Sequence, residues 1–156
     1  MIETERKFLV TNDGWKKASA KKIKIRQGYL AKSKGITVRV RIANEKAFIT
    51  VKGKRVNLSC PEYEYEIPLV DAEEMITMSV TLLIEKTRYL VFVNGIKWEI
   101  DVFKGVNAGL VMAEVEFDEG VAPTLGQLPT WVGTEVSYDK RYTNVYIAEH
   151  VVPHSL

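Results

Sequence analysis

Charges of one sign recur at every second position in several separate segments of this chain, and no other feature constrains its fold as much. Glu3, Glu5 and Lys7 alternate with Thr4 and Arg6 near the start, and Arg39 and Arg41 alternate with branched aliphatics over 36 to 42. Glu62, Glu64 and Glu66 flank Tyr63 and Tyr65; Lys86 and Arg88, Glu99 and Asp101, and Glu114 and Glu116 follow. In a strand, residues two apart share a face and stand about 6.6 Å apart. Two like charges at that distance repel by roughly 2 to 3 kcal/mol at an effective dielectric near 20. An ordinary solvent face mixes signs locally, because like neighbours destabilise a sheet. Here like charges share a strand, and opposite charges lie on different strands. If the rows converge, they form a concave surface that holds a polyanion and its cations. If they diverge, they form a solvated sheet with Lys7 blunting its edge.

Composition fits one domain over residues 1–156, at 46% hydrophobic and 27% charged. The formal net charge of +2 provides no global field for nucleic acid or anionic membrane, so any anion site must be local. The single Cys60 excludes an internal disulfide and a Cys-rich zinc site. Acidic residues stand where a signal peptide would be basic, and no apolar run approaches the roughly 18 residues of a membrane span. The expected location is the cytoplasm.

The alternation predicts strands near 2 to 10, 22 to 31, 36 to 42, 46 to 53, 61 to 67, 84 to 93, 96 to 104 and 109 to 118. Lys34-Gly35 and Asn94-Gly95 are hairpin turns, so neighbouring strands are mostly antiparallel. A helix is expected at about 72 to 80, capped by Asp71 with Glu74 at capping-box spacing. A second is expected over 143 to 151, and 123 to 133 reads as an irregular or short helical crossover. Eight such strands can build a sandwich with charges in water. They can also build a barrel with charges inward and Val38, Val40, Ile100, Val102, Val115 and Phe117 facing out. Segregation of sign favours the barrel.

The opening Glu3-x-Glu5-x-Lys7, then Gln27-Gly28-Tyr29-Leu30, Arg39-x-Arg41, Thr50-x-Lys52, Glu64-x-Glu66, Lys86-x-Arg88, Glu114-x-Glu116 and Asp139-Lys140-Arg141-Tyr142, resemble the CYTH group of triphosphate tunnel metalloenzymes. The likeness runs from residue 1 to about 148, and is greatest to short bacterial members that act as inorganic tripolyphosphatases. It implies a mainly β fold, a closed eight-stranded antiparallel β-barrel with a few helices outside and at one end. It also implies dependence on Mg2+ or Mn2+ and a small-molecule polyphosphate substrate.

Carried onto this chain, the resemblance makes Glu3, Glu5, Glu114 and Glu116 metal ligands, oxygen donors suited to hard cations. Arg39, Arg41, Lys52, Lys86, Arg88 and Lys140 become substrate-binding residues, with Lys140 on a segment that plugs one tunnel end. Lys7 and Tyr29 become a catalytic pair, the lysine's proton affinity lowered by nearby cations; Tyr29 also fits a core aromatic. The roles of Glu62, Glu64, Glu66, Glu99 and Asp101 stay open, with orientation of the bases as the expectation. The alternatives to tripolyphosphate hydrolysis are thiamine triphosphate hydrolysis, cyclisation of ATP to cyclic AMP, and non-catalytic polyphosphate or nucleotide sensing. There is no phosphate-binding loop and no nucleophile elbow. His150 and His154 read as surface residues, and Trp15 and Trp131 as core or as the contact of a homodimer.

Overall fold

The computed structural model describes residues 1–150. The strands among them are β1 (Ile2–Val10), β2 (Ser19–Ser33), β3 (Ile36–Ala43), β4 (Lys46–Lys52), β5 (Ser59–Ile67), β6 (Ile84–Val93), β7 (Ile96–Phe103), β8 (Val111–Phe117) and β9 (Val132–Glu135). Their order across the sheet is β5-β4-β3-β2-β6-β7-β8-β1-β9, and β5 also pairs with β1. That last pairing sets Ile2 opposite Pro61 and Glu3 opposite Cys60, and it closes an eight-stranded antiparallel barrel, as expected. The short hairpins fit their residues: Lys34-Gly35 and Asn94-Gly95 both take positive φ at each position, the conformation that matches strand twist.

Register carries the charged rows to one face. Glu5 lies opposite Glu116 and Lys7 opposite Glu114. Tyr29 lies opposite Arg39, Arg39 opposite Thr50, Thr50 opposite Glu64, and Arg88 opposite Asp101. The opposite, outward face is apolar and covered in two patches. Phe8, Trp98, Ile100, Ala113 and Val115 pack with Trp15 and Trp131. Trp15 stands on a 3-10 turn, Gly14–Ala18, that sequence periodicity does not reveal. Both tryptophans are therefore core residues, 2% and 4% exposed. The second patch, Val40, Ile42 and Ala47, is covered by Ala72 and Ile76 of α1 (Leu69–Ile76).

This helix starts and ends earlier than its sequence suggests. Pro68 occupies the cap position and no side chain caps the helix, so Asp71 sits in the first turn instead of capping it. Proline presets φ for a helix start and lacks an N–H, which moves the boundary ahead of Asp71. β9 is likewise unforeseen: four residues around Gly133 show too little alternation, yet they pair with the far half of β1. The stretch before it is irregular, as one of the two expectations had it, and forms no helix.

One end of the barrel is filled. Leu9, Tyr29, Ile84, Phe103 and Met112 meet Val136, Tyr142, Ile147 and Ala148 there. Ile147 and Ala148 belong to α2 (Asn144–Glu149), whose N-terminus is capped by the Thr143 hydroxyl accepting from the Tyr146 N–H. The last residue expected in this helix, Val151, and His154 lie outside the described residues.

Candidate active site

β1 and β8 set the acidic wall. Glu3, Glu5 and Glu116 each offer a carboxylate oxygen, and the three oxygens lie within 4.8 Å of one another. Three convergent oxygen donors fit a hard divalent cation. Their electrostatics fit as well. Desolvation by the surrounding wall, together with the charges of Glu99, Glu3, Glu5 and Glu114, pushes Glu116 up to about 7 although the residue itself reaches solvent. Burial also works to raise Glu5, but Lys7, Lys52 and Arg55 outweigh it and hold that carboxyl below its ordinary value.

The fourth expected ligand stands apart from this triad. Glu114 receives Lys7 Nζ at 3.4 Å and the Arg88 guanidinium at 3.3 Å. Lys7 is buried and also lies 3.3 Å from Glu5. Sequence reasoning expected neighbouring cations to lower its proton affinity. Burial does work in that direction, but Glu114 and Glu5 prevail, and Lys7 is held above its ordinary value. In this arrangement it is a fixed positive charge.

The basic wall faces the same space. Lys7, Tyr29, Arg39, Lys52 and Lys140, all singled out in the sequence, line one cavity of about 480 Å3 with Glu5. Lys52 Nζ lies 2.6 Å from Glu3 and 3.0 Å from Glu62. Arg39 donates to the Thr50 hydroxyl at 3.2 Å, which donates to Glu64 at 2.8 Å. Tyr29 is 5% exposed, a core aromatic that is also part of the cavity wall.

Arg41, Lys86 and Arg88 stand apart from that lining. Arg41 donates to Gln27 at 2.8 Å, and burial beside Arg39 and Arg88 pushes it down to about 10. Lys86 contacts Asp101 at 2.6 Å and Asn144 of α2 at 3.2 Å. Arg88 makes two contacts to Asp101, at 2.7 and 2.8 Å, and an ion pair with Glu99.

The remaining carboxylates stand beside bases. Glu62 contacts Lys52, Glu64 contacts Arg39, Glu99 and Asp101 hold Arg88, and Glu66 lies 3.5 Å from exposed Lys46. Sequence reasoning missed Arg55 and Asn144. Both lie outside the alternating strands, where no periodicity gives direction to a side chain. His150 caps the other end of α2 and stacks on Tyr146.

Comparison with known proteins gives a consistent picture. The CYTH domain family matches residues 1–142. An inorganic triphosphatase of Acetivibrio thermocellus is 43% identical over 143 residues, 91% of this chain and 90% of the relative. An inorganic triphosphatase of Nitrosomonas europaea is 38% identical over 95% of this chain and 97% of its own. A crystal structure of an inorganic triphosphatase, 34% identical, superposes with a TM-score of 0.69 and covers 97% of each chain.

Proposed function

This chain belongs to the CYTH domain family, and from that premise we propose that it is a divalent-metal-dependent phosphoanhydride hydrolase that cleaves inorganic tripolyphosphate to pyrophosphate and phosphate. The observation that carries the proposal is the facing pair of walls: the Glu3, Glu5 and Glu116 oxygens within 4.8 Å of one another, and Lys7, Arg39, Lys52 and Lys140 around the adjoining cavity. At a net charge of +2 no global field draws a polyanion, so binding one rests on this local gathering of bases. The relatives named inorganic triphosphatase support the same substrate class.

Glu3, Glu5 and Glu116 are the residues that would hold Mg2+ or Mn2+, with Glu114 placed to steady Lys7 and Arg88. When bound, such a cation neutralises phosphate oxygens and lowers the pKa of water. Phosphoryl transfer otherwise depends on positioning and electrostatic stabilisation. Water oxygen bonds to a terminal phosphorus as the bridging P–O bond breaks, and pyrophosphate departs with that bridging oxygen. Arg39, Lys52 and Lys140 bind the oxygens of the chain; Arg41, Lys86 and Arg88 extend the field behind them. Lys7, charged between Glu5 and Glu114, offsets charge at the phosphoryl group, and Tyr29 supplies a hydroxyl on the same wall. Residues 1–156 act here as one domain, and a single unpaired Cys60 fits a reducing compartment such as the cytoplasm.

The test is release of phosphate and pyrophosphate from tripolyphosphate by the purified protein. Turnover is expected with Mg2+ or Mn2+ and is expected to stop in excess chelator. Glu5→Gln and Glu116→Gln should each lower activity at least about a hundredfold; Glu116→Gln should leave Tm unchanged or higher, because it relieves repulsion among carboxylates, whereas Glu5→Gln should lower Tm, because it takes a charged partner from buried Lys7 and from Arg55. Full turnover without metal, or a large fall in Tm for both variants, would assign these residues to structural salt bridges instead.

A further inference from the structure

The β4–β5 loop delivers a cation directly to the proposed metal ligands. Arg55 donates through Nη2 to Glu5 Oε1 at 2.9 Å, and the same nitrogen stands 3.9 Å from Glu3 Oε2. Its Nη1 donates to the Leu58 carbonyl at 3.0 Å. Lys52 takes Glu3 Oε2 at 2.6 Å. Two of the three convergent carboxylates are thus already neutralised by bases of the cavity wall. The Arg55 side chain is 30% exposed and lines the cavity, so it is placed to move. The loop beneath it is pinned, with Val56 bridged to Ser59 and the Glu5 N–H donating to the Leu58 carbonyl at 3.3 Å.

A divalent cation competes with the Arg55 guanidinium at Glu5 and with Lys52 at Glu3, because each base already occupies one oxygen of its carboxylate and the positive charges repel. Each binding event is therefore an exchange of partners. We infer that Arg55 is a further substrate-binding residue that couples the two events: it neutralises Glu5 and Glu3 until a divalent cation takes them, and the freed guanidinium then takes a phosphate of the polyanion. This rests on the metal and triphosphate reading above. A guanidinium suits the second partner, since it meets phosphate oxygens with two parallel N–H donors. The linkage is reciprocal: a polyanion that draws Arg55 from Glu5 raises cation affinity by the same factor by which the cation raises polyanion affinity.

The experiment titrates Mn2+ into the full chain, following free Mn2+ by electron paramagnetic resonance. It then measures binding of a non-hydrolysable imido analogue of tripolyphosphate by calorimetry at saturating Mn2+. Arg55→Gln should shift the two affinities in opposite directions. Mn2+ alone should bind several-fold tighter because a competitor for Glu5 is gone, and the analogue should bind about tenfold weaker because a charge-assisted contact is lost. Arg55→Lys should restore part of both effects. Arg26→Gln, which removes a charge paired with Glu73 on the outer surface, controls for net charge and should change neither. If Arg55→Gln leaves Mn2+ affinity unchanged or weaker, or leaves analogue affinity unchanged, Arg55 is a loop pin and the inference fails. If wild-type protein binds no Mn2+ even with the analogue present, the metal reading itself fails.

Discussion

Asp101 carries two buried cations on one carboxylate. Lys86 reaches it at 2.6 Å and Arg88 at 2.7 and 2.8 Å, and the Lys86 and Asp101 side chains are 0% and 1% exposed. Burial works to raise the Asp101 carboxyl, but Arg88 and Lys86 prevail and hold it far below the ordinary carboxylate range. A depressed folded value contributes stability that is complete above the unfolded value near 3.8 and is lost as pH falls below it. This residue therefore takes part in acid unfolding below about pH 4 and leaves stability near neutrality flat. Asp101→Asn would strand enclosed Lys86 and leave Arg88 to Glu99 and Glu114 alone, at a cost of about 3 to 5 kcal/mol, or a fall in Tm of roughly 10 °C for a domain of this length. Calorimetry at pH 7 measures it. Adding Lys86→Met should recover part of the loss, since it removes one stranded charge. A Tm within about 2 °C of the parent for Asp101→Asn would show that water reaches this cluster.

Between residues and elements lies the division between what the sequence reveals and what it conceals. The barrel strands are legible because most set branched or aromatic residues against a charged row, and a register slip would exchange those faces. Glu3, Glu5 and Glu116 are legible for the same reason. The role of Glu114 is not, because it depends on β1 and β8 aligning it with Lys7 and on Arg88 reaching across from β6. Arg55 lies in a loop, and its direction comes from closure of β1 on β5. Gly28 shows the limit from the other side. It falls in a segment singled out on sequence, but its reason is tertiary: residues 77–83 cross over β2, and a Cβ at Gly28 would lie 2.6 Å from Ser79 Oγ and 2.8 Å from Leu83 Cδ2. The crossing is fixed by the Val80 N–H donating to the Tyr29 carbonyl at 2.8 Å. Gly28→Ala should cost about 1 to 3 kcal/mol by overpacking, with hydrogen-exchange protection lost first across 77–83. Unchanged Tm and unchanged protection there would mean that the crossing yields without strain.

At the scale of the whole molecule, the question is what besides phosphate the cavity can read. Bases ring it, with Lys7, Arg39, Lys52, Lys54, Arg55 and Lys140 around about 480 Å3. Tyr146, which lines the same cavity, is the natural platform for a nucleobase or thiazole. One face of its ring is taken: His150 stacks on it with centroids 4.0 Å apart and planes inclined by 17°. The hairpins at Lys34-Gly35 and Asn94-Gly95 are two-residue turns, and of these four residues the cavity is lined by Gly35 alone, which has no side chain to read an organic group. Affinity should therefore come from the phosphates, and an organic group should add bulk without compensating contacts. Linear tripolyphosphate is expected to show the highest kcat/KM, with ATP and thiamine triphosphate at least about tenfold lower, a difference of about 1.4 kcal/mol in transition-state binding, and no cyclic AMP formed. His150→Ala sharpens the test. Uncovering Tyr146 should raise kcat/KM for ATP several-fold, by the stacking of one base on one ring, and leave tripolyphosphate unchanged. Wild-type kcat/KM for ATP or thiamine triphosphate equal to that for tripolyphosphate would mean that the cavity already reads the organic group, and would reassign the substrate while leaving the barrel and its carboxylates as described.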